Sequence, residues 1–405
     1  MLNVILFDNE TRDQLLPLTY TRPVCELRIG ILRIREKWEQ QLGAQVSYIT
    51  QDYLSEKYPI TISDDNLVIN GGALPSAPLL RLITQLDNNE ALLKNEELIA
   101  ARLNAKQFER LMHEEEIDEL EGFEVGQTPF LKIESLTDIF SLNDRALMED
   151  FLFLTKDRTS QPISETNTVI GNRNNIFLEE GASVEAAILN ANSGPIYIGK
   201  NATVMEGATI RGGLALCEGA TIKMGAKIYG ATTVGPSSKV GGEISNVVIT
   251  GFSNKGHDGY LGNSVLGEWC NLGADTNSSN LKNNYAEVRL WNYEQESFAK
   301  TGTQFCGLIM GDHSKCGINT MFNTGTVVGV SANIFGSGFP RNFIPSFAWG
   351  GASGFTTYKT EKAFEVAKIV MARRKLEFDE IDQNILTKVF EDSAKFRRWE
   401  KVSLS

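Results

Sequence analysis

Histidine and cysteine, which carry much of the common chemistry of proteins, are scarce in this sequence. There are three histidines and five cysteines in 405 residues. The cysteines are odd in number and include no Cys-x-x-Cys pair, which argues against a disulfide framework and against a zinc knuckle. This usage is typical of a reducing compartment, and we expect a cytoplasmic protein.

Positive charge and long apolar runs are scarce as well. The 39 Lys and Arg residues are outnumbered by 51 Asp and Glu, which leaves a net charge of -12. No basic stripe is present to bind nucleic acid or an anionic membrane. No segment approaches the roughly 20 apolar residues that span a bilayer, and the opening "MLNVILFDNE" lacks the features of a signal peptide. The expected partners are therefore small molecules, with neither nucleic acid nor membrane among them.

A repeat of six residues is the strongest pattern that is present. Aliphatic residues recur every sixth position at Ile198, Val204, Ile210, Leu216, Ile222, Ile228, Val234 and Val240. The same register returns at Leu266, Leu272, Met310, Cys316, Phe322, Val328 and Ile334. Neither a helix nor a single strand has a period of six. One side of a triangular coil does, and stacked coils lie about 4.8 Å apart like neighbouring strands.

This pattern resembles the hexapeptide-repeat acyltransferases over residues 165–340. The resemblance implies a left-handed parallel β-helix, and it is the only basis for the handedness, because the usual crossover rule predicts the opposite. The register is interrupted between Val240 and Leu266 and again over residues 275–307. We expect these two breaks to be loops that carry the chemistry.

The rest of the chain is organised around the repeat. Residues 1–155 begin with the strand "NVILF" and contain apparent helical stretches at 26–42 and 91–112, which indicates an α/β domain. We expect a linker at 156–167, the β-helix at 168–340, and an irregular segment followed by helices at 341–405. Because 405 residues exceed one ordinary domain, two domains are expected.

A cluster of polar residues follows the first break of the repeat. The segment "SNKGHDGYLG" contains His257 and Tyr260, "NLGA" begins at Asn271, and Asn280 comes nine residues later. Transfer of an acetyl group to an amine needs a base, and a histidine suits that task near neutral pH. Tyrosine and asparagine side chains can bind a sugar phosphate, and an asparagine can stabilise an oxyanion.

The spacing of this cluster resembles the acetyltransferase domain of the bifunctional UDP-N-acetylglucosamine diphosphorylase and glucosamine-1-phosphate N-acetyltransferase family, in a divergent two-domain branch. The resemblance implies that His257 is the general base and that Glu243 pairs with it. It assigns Asn280 a catalytic role, and Tyr260 and Asn271 a role in substrate binding. Where that family has a phosphate-binding lysine, this chain has Ser245, and the possible replacements are Lys227 and Lys282.

The same resemblance implies acetyl-CoA as co-substrate and a cyclic homotrimer with active sites between neighbouring chains. We expect the coenzyme to lie near Gly273, Ala274 and Gly311. No metal is expected, since a carbonic anhydrase built on this fold needs three zinc-binding histidines and the repeat region has only His257 and His313.

The N-terminal segment "LFDNETRDQLLPLTYTRP" resembles the phosphate-binding loop of sugar nucleotidyltransferases, which reads "LAAGxGxRxxPLT". Two cations of that frame are kept, Arg12 and Arg22, and these are the candidate nucleotide-binding residues. The loop glycines are replaced by Asp8, Asn9 and Glu10, and the carboxylates of Asp8 and Glu10 repel a triphosphate unless a metal intervenes. Mg²⁺ is therefore expected only if this domain is active. A site rebuilt around cations would also draw on Arg28 and Lys37.

These observations predict acetyl transfer from acetyl-CoA to an amino-sugar phosphate, with glucosamine 1-phosphate as the expected acceptor. Two alternatives stay open. One is that sugar-1-phosphate nucleotidyl transfer is the main activity. The other is a non-catalytic regulatory protein that binds a sugar nucleotide.

Overall fold

The computed structural model describes residues 3–112 and 120–402. It divides into two compact units. The first comprises the described residues up to Leu15, with Arg22–Leu27 and those of Leu32–Glu134. The second comprises Leu16–Thr21, Arg28–Ile31 and the described chain from Ser135 onward. Within the described parts of the chain, no helix has the length and apolar character needed to cross a bilayer.

The first unit is built on a six-stranded mixed sheet with the order β2-β1-β3-β5-β4-β6. Its strands are β1 (Asn3–Phe7), β2 (Val46–Ile49), β3 (Asp65–Asn70), β4 (Glu90–Lys94), β5 (Glu97–Asn104) and β6 (Glu121–Glu124). Its helices are α1 (Thr11–Gln14), α2 (Ile34–Leu42), α3 (Ala77–Thr84) and α4 (Ala105–Met112). Strand β1 pairs in parallel with β2 at one edge and with β3 at the other. Its successive apolar residues point to opposite faces of the sheet and are buried, so they form the centre of the core.

Of the helix predicted over 91–112, only Ala105–Met112 is helical, and residues 91–104 instead belong to the hairpin of β4 and β5. Asn95 and Glu96 turn the chain with positive φ angles of 52° and 68°. Such a two-residue turn matches the twist of antiparallel strands. The second predicted helix, over 26–42, was also too long, because only Ile34–Leu42 is α-helical.

The second unit is a parallel β-helix of about 10 turns, as the repeat predicted. One face carries the short strands Thr168–Ile170, Ile188–Asn190, Thr209–Arg211 and Lys227–Tyr229, and is continued by Asn277–Ser278 and Met321–Phe322. A second carries Ile176–Leu178, Ile196–Ile198, Leu214–Leu216, Thr232–Val234, Leu308–Met310, Thr326–Val328 and Phe343–Ile344. The third carries Ser183–Val184, Thr203–Val204, Thr221–Ile222, Lys239–Val240, Asn254–Lys255, Asn271–Leu272, Lys315–Cys316, Asn333–Ile334, Ala348–Gly351 and Gly354–Thr357. The fold class inferred from sequence, a nucleotidyltransferase-like α/β domain followed by a left-handed β-helix and C-terminal helices, is confirmed.

The residues of the six-residue repeat form the interior of the β-helix. Every aliphatic member from Ile198 to Val240 is at most 1% exposed, and Leu266, Met310 and Val328 continue the same column after the breaks. Each buried side chain of this kind contributes about 1.5–3 kcal/mol. The small residues that precede them, such as Ala202 and Ala208, are fully buried at the corners.

The two interruptions of the repeat differ from each other in structure. The first is not a loop, because Glu243–Gly251 and Tyr260–Glu268 are two nine-residue strands that pair in parallel and span two faces of the coil. The second contains an antiparallel hairpin, Arg289–Asn292 with Ser297–Lys300. The prediction of a loop was therefore wrong for most of the first interruption and right for the second.

The segment Arg28–Ile31 packs against the β-helix within the second unit. The Arg28 guanidinium donates to the carbonyl of Thr250 at 3.1 Å, and the Thr233 hydroxyl donates to the carbonyl of Gly30 at 2.7 Å. Gly30 has φ 74°, and a Cβ there would lie 2.5 Å from a carboxylate oxygen of Asp150. Arg28 is thus a buried residue that joins this segment to the β-helix.

Helices complete the second unit at both ends of its continuous chain. They are α5 (Asp138–Ser141) and α6 (Asn143–Thr155) before the β-helix, and α7 (Thr360–Ala372), α8 (Glu380–Asp392) and α9 (Trp399–Val402) after it. The ring of Phe347 packs edge-on against Phe390 of α8, with centroids 5.1 Å apart. The C-terminal helices therefore cover the last coils.

Candidate functional site

Three of the predicted site residues lie side by side on one face of the β-helix. Lys227 pairs in register with Glu243, and Glu243 pairs with Tyr260 on the next coil. Their side chains share one orientation, because residues in register on parallel strands point to the same side of the sheet. The alternate positions point inward, as the buried residues Ile228 and Ile244 show.

Asn280 joins this row through the Tyr260 hydroxyl. Its amide nitrogen donates to the Tyr260 oxygen at 3.0 Å and to the Asn263 side-chain oxygen at 2.7 Å. Both amide hydrogens of Asn280 are thus used in this arrangement. Burial raises the pKa of Tyr260, so its hydroxyl stays protonated at neutral pH.

Gly262 leaves the space that this contact needs. A Cβ at that position would lie 2.2 Å from the Tyr260 hydroxyl oxygen and 2.8 Å from the Asn280 amide nitrogen. No side chain fits at such distances without displacing its neighbours. Gly262 therefore lets the Tyr260 ring lie across the backbone of its own strand.

His257 lies in the short connection between Asn254–Lys255 and Tyr260–Glu268, and its side chain is exposed. Its backbone packs on Gly242, where a Cβ would lie 2.9 Å from the His257 carbonyl oxygen. This approach places His257 beside the coil that carries Glu243. The imidazole makes no hydrogen bond within the described chain, so it is open to a bound substrate.

Glu243 does not contact His257 in this structure. Its carboxylate accepts a hydrogen bond of 2.7 Å from the hydroxyl of Tyr229, which lies one coil earlier. That hydrogen bond raises the pKa of Tyr229 to about 12. The expected carboxylate and histidine pair is thus not formed in this conformation, and Glu243 instead orients Tyr229.

Lys255 is a functional candidate that the sequence analysis did not identify. It stands in register with Val240, at a core position of the coil, and it is fully buried. Its ammonium donates to the carbonyls of His257 at 2.5 Å, Asp258 at 2.8 Å and Gly241 at 3.4 Å. Burial lowers the pKa of Lys255 to about 8. The lysine thus holds the connection that carries His257 from inside the β-helix.

The remaining predicted residues lie farther along the β-helix. Asn271 is exposed on the third face, between Asn254 and Lys315. The backbone of Gly273 packs on Gly317, where a Cβ would meet a carbonyl carbon at 2.4 Å.

Two further members of the expected coenzyme region have backbone roles. The Ala274 carbonyl accepts a hydrogen bond of 2.8 Å from the Asn319 amide. Gly311 is buried, and a Cβ there would lie 2.9 Å from Gly329. The ammonium of Lys282 donates to the carbonyl of Glu287 at 2.9 Å, and its side chain lines a separate cleft near the C-terminal end of the β-helix.

In the first unit, the loop after β1 is held by its own polar residues. Asp8 accepts hydrogen bonds from the Val24 amide at 2.8 Å and from the Thr50 hydroxyl at 2.7 Å. Burial raises the pKa of Asp8 to about 6. Arg12 is buried and donates to the Tyr53 hydroxyl at 2.7 Å.

The second predicted nucleotide-binding residue, Arg22, is buried too. Both carboxylate oxygens of Asp8 already accept hydrogen bonds, and the described residues contain no group of three His, Cys, Asp or Glu suited to a metal.

Comparison with known proteins finds partial matches to this chain. Residues 4–159 match the family model described as sugar nucleotidyl transferase. The bifunctional protein GlmU of Methanocaldococcus jannaschii is 35% identical over 100 residues, which is 24% of this chain and 22% of that protein. The match thus spans about a fifth of the length of this relative.

Two solved acyltransferase structures are among the matches. The polySia-specific acetyltransferase NeuO has 14% identity and a TM-score of 0.28, and the alignment covers 52% of this chain and 99% of NeuO. AntD, an N-acyltransferase of Bacillus cereus solved with dTDP-4-amino-4,6-dideoxyglucose and coenzyme A, has 14% identity and a TM-score of 0.22. That alignment covers 53% of this chain and 100% of AntD. These low scores assign no function.

Proposed function

We propose that the β-helix unit transfers an acetyl group from acetyl-CoA to the amine of an amino-sugar phosphate, with glucosamine 1-phosphate as the acceptor. The observation that carries this proposal is the exposed His257 held beside the row of Lys227, Glu243 and Tyr260. Binding and deprotonating an amino-sugar phosphate requires a base, a cation and hydrogen-bonding groups that lie next to one another.

In the proposed reaction, His257 takes a proton from the acceptor ammonium, and the freed amine nitrogen attacks the thioester carbonyl carbon. The carbon–sulfur bond then breaks, and the sulfur of coenzyme A leaves with a proton. Lys227 lies on the same face as Tyr260, two coils earlier, and its ammonium supplies a positive charge for the phosphate. Asn280 orients the Tyr260 hydroxyl, and it can reach an oxyanion only by giving up one of its two present partners.

The test is a panel of amino-sugar phosphates with acetyl-CoA, followed by release of free thiol. We expect turnover with glucosamine 1-phosphate and a loss of kcat of roughly 100-fold or more in His257→Ala, the usual size for lost acid–base catalysis. Lys200→Gln, a change of an exposed charge on an early coil, is the matched control. A fully active His257→Ala enzyme would disprove the assignment of the base.

The family match of residues 4–159 favours a second candidate function, sugar-1-phosphate nucleotidyl transfer by the N-terminal unit. The replacement of loop glycines by Asp8 and Glu10 argues for weak triphosphate binding. Release of pyrophosphate from UTP and a sugar 1-phosphate measures this activity directly. Binding of a sugar nucleotide without turnover in either assay would instead indicate a regulatory protein.

A further inference from the structure

A cleft of about 1070 Å³ opens near the C-terminal end of the β-helix. Its walls come from the hairpin strands Arg289–Asn292 and Ser297–Lys300, from residues 341–345 and 351–355, and from residues 396–399. None of the predicted site residues except Lys282 lines it. Because Lys282 follows Asn280 by two residues, one edge of the cleft is close along the chain to the Tyr260 contact.

Positive charge is concentrated in this cleft. Its cations are Lys282, Arg289, Arg341 and Arg398, and no carboxylate is among the described residues that line it. The three guanidinium groups form no ion pair with any residue in the described chain. The protein as a whole has a net charge of -12, so this cluster of positive charge is a local feature. Its unpaired cations repel one another unless an anion lies between them. Arginine in particular binds phosphate oxygens in pairs.

Aromatic rings form the rest of the lining. The Trp291 ring stacks on Phe343 with centroids 4.1 Å apart and an angle of 8° between the planes. Phe298 meets Trp291 edge-on at 5.4 Å and leaves 41% of its own surface exposed. The cleft thus offers an uncovered ring beside its cations.

The indole N–H of Trp291 is the third feature that points to a ligand. Trp291 is only 8% exposed, and its Nε1 has no hydrogen-bond partner in the described residues. A buried donor without an acceptor is unfavourable and is rare in folded proteins. An acceptor atom of a ligand in the cleft would satisfy it.

We propose that this cleft binds the nucleoside diphosphate part of a substrate. The base packs on Phe298, an oxygen or ring nitrogen accepts from the Trp291 N–H, and Arg289, Arg341 and Arg398 hold the diphosphate. Coenzyme A and a nucleotide sugar both contain this group. The inference rests on the proposed function for the choice of these two ligands, and it deepens that function by assigning where the nucleotide lies.

The experiment is titration calorimetry of the full chain with coenzyme A, with UDP-N-acetylglucosamine and with inorganic pyrophosphate. We expect one of the two nucleotides to bind, and its identity distinguishes the two sources. We expect Arg289→Gln and Arg341→Gln each to raise its Kd about tenfold, because each removes a charged hydrogen bond. Trp291→Phe keeps the ring and loses the N–H, and we expect Kd to rise about fivefold. Arg373→Gln, an exposed arginine outside the cleft, should leave Kd unchanged.

Unchanged affinity in all three cleft variants would overturn the inference, as would failure of both nucleotides to bind. Pyrophosphate that binds as tightly as the nucleotide would also overturn it, because the base would then contribute nothing. Repeating the titrations in His257→Ala separates this inference from the proposed function. Nucleotide binding by a wild-type protein that transfers no acetyl group would contradict the proposed function and leave the cleft assignment standing.

Discussion

The buried ammonium of Lys255 allows a prediction of both stability and pH dependence. Replacing it with methionine keeps most of the volume and removes the donor to the three carbonyls of Gly241, His257 and Asp258. Leaving a buried acceptor unsatisfied costs about 2 kcal/mol. The three carbonyls together therefore cost at most about 6 kcal/mol, because those of His257 and Asp258 are only partly buried.

The loss is partly offset, because the variant no longer buries a charge. A pKa lowered from 10.5 to about 8 corresponds to an unfavourable contribution of about 3.4 kcal/mol at neutral pH, at 1.36 kcal/mol per pH unit. We therefore expect Lys255→Met to lower the free energy of unfolding by roughly 2–3 kcal/mol at pH 7. We also expect a lower kcat, since the connection that carries His257 loses its anchor.

The pH dependence has a definite sign. Between about pH 8 and pH 10.5 the unfolded chain holds the Lys255 proton and the folded chain does not. Stability linked to this residue therefore rises with pH across that window and is constant below it. The free energy of unfolding of the wild type should increase relative to Lys255→Met by up to about 3 kcal/mol over this range.

Urea unfolding followed by far-UV circular dichroism at pH 7, 8.5 and 10 measures both effects. Lys239→Met, which changes an exposed lysine on the preceding coil, is the matched control and should differ from the wild type by less than about 0.5 kcal/mol. A Lys255→Met protein as stable as the wild type at pH 7, or a difference that does not change with pH, would refute this reasoning.

Two further predictions rest on particular contacts, and a third rests on the family resemblance. Gly262→Ala should lower kcat/KM at least about tenfold with little change in Tm, because its Cβ would displace the Tyr260 hydroxyl; wild-type activity would refute this. Because burial raises the pKa of Asp8 to about 6, the contribution of Asp8 to stability should fall as pH rises from 4 to 6, so the free energy of unfolding of the wild type should decrease relative to that of Asp8→Asn over this range; a constant difference would refute this. Light scattering should show a homotrimer; a monomer that still transfers acetyl groups would contradict a site shared between chains.

The β-helix could be predicted from sequence because its interior repeats. Each coil buries one aliphatic residue per side, so a period of six is imposed on the sequence at Ile198, Val204 and onward, whatever loops emerge between coils. The cluster around His257 was visible for a related reason, since a motif with fixed spacing lies within one short segment.

Short apolar stretches were less informative. Residues 90–104 contain helix-forming residues such as Ala91, Leu93 and Glu97, yet they form a hairpin. Pairing of β5 with β3 in the sheet outweighed local helix propensity, because it buries Ile99 and Ala101 in the core. No single-sequence pattern shows that pairing.

Contacts between residues distant in sequence were decided only by the tertiary structure. A lysine in a sequence is normally predicted to lie at the surface. Lys255 instead lies in the core, because carbonyls from two coils accept hydrogen bonds from its ammonium. The cleft brings together a hairpin inserted at the second break and the last helix, more than 90 residues apart in the chain. The sequence by itself determined the repeating interior, since burial of one side chain per coil face is a local requirement. The positions of Lys255, of Tyr260 against Asn280 and of the cleft residues depended on which coils and insertions stack on one another, and this is settled only when the whole chain folds.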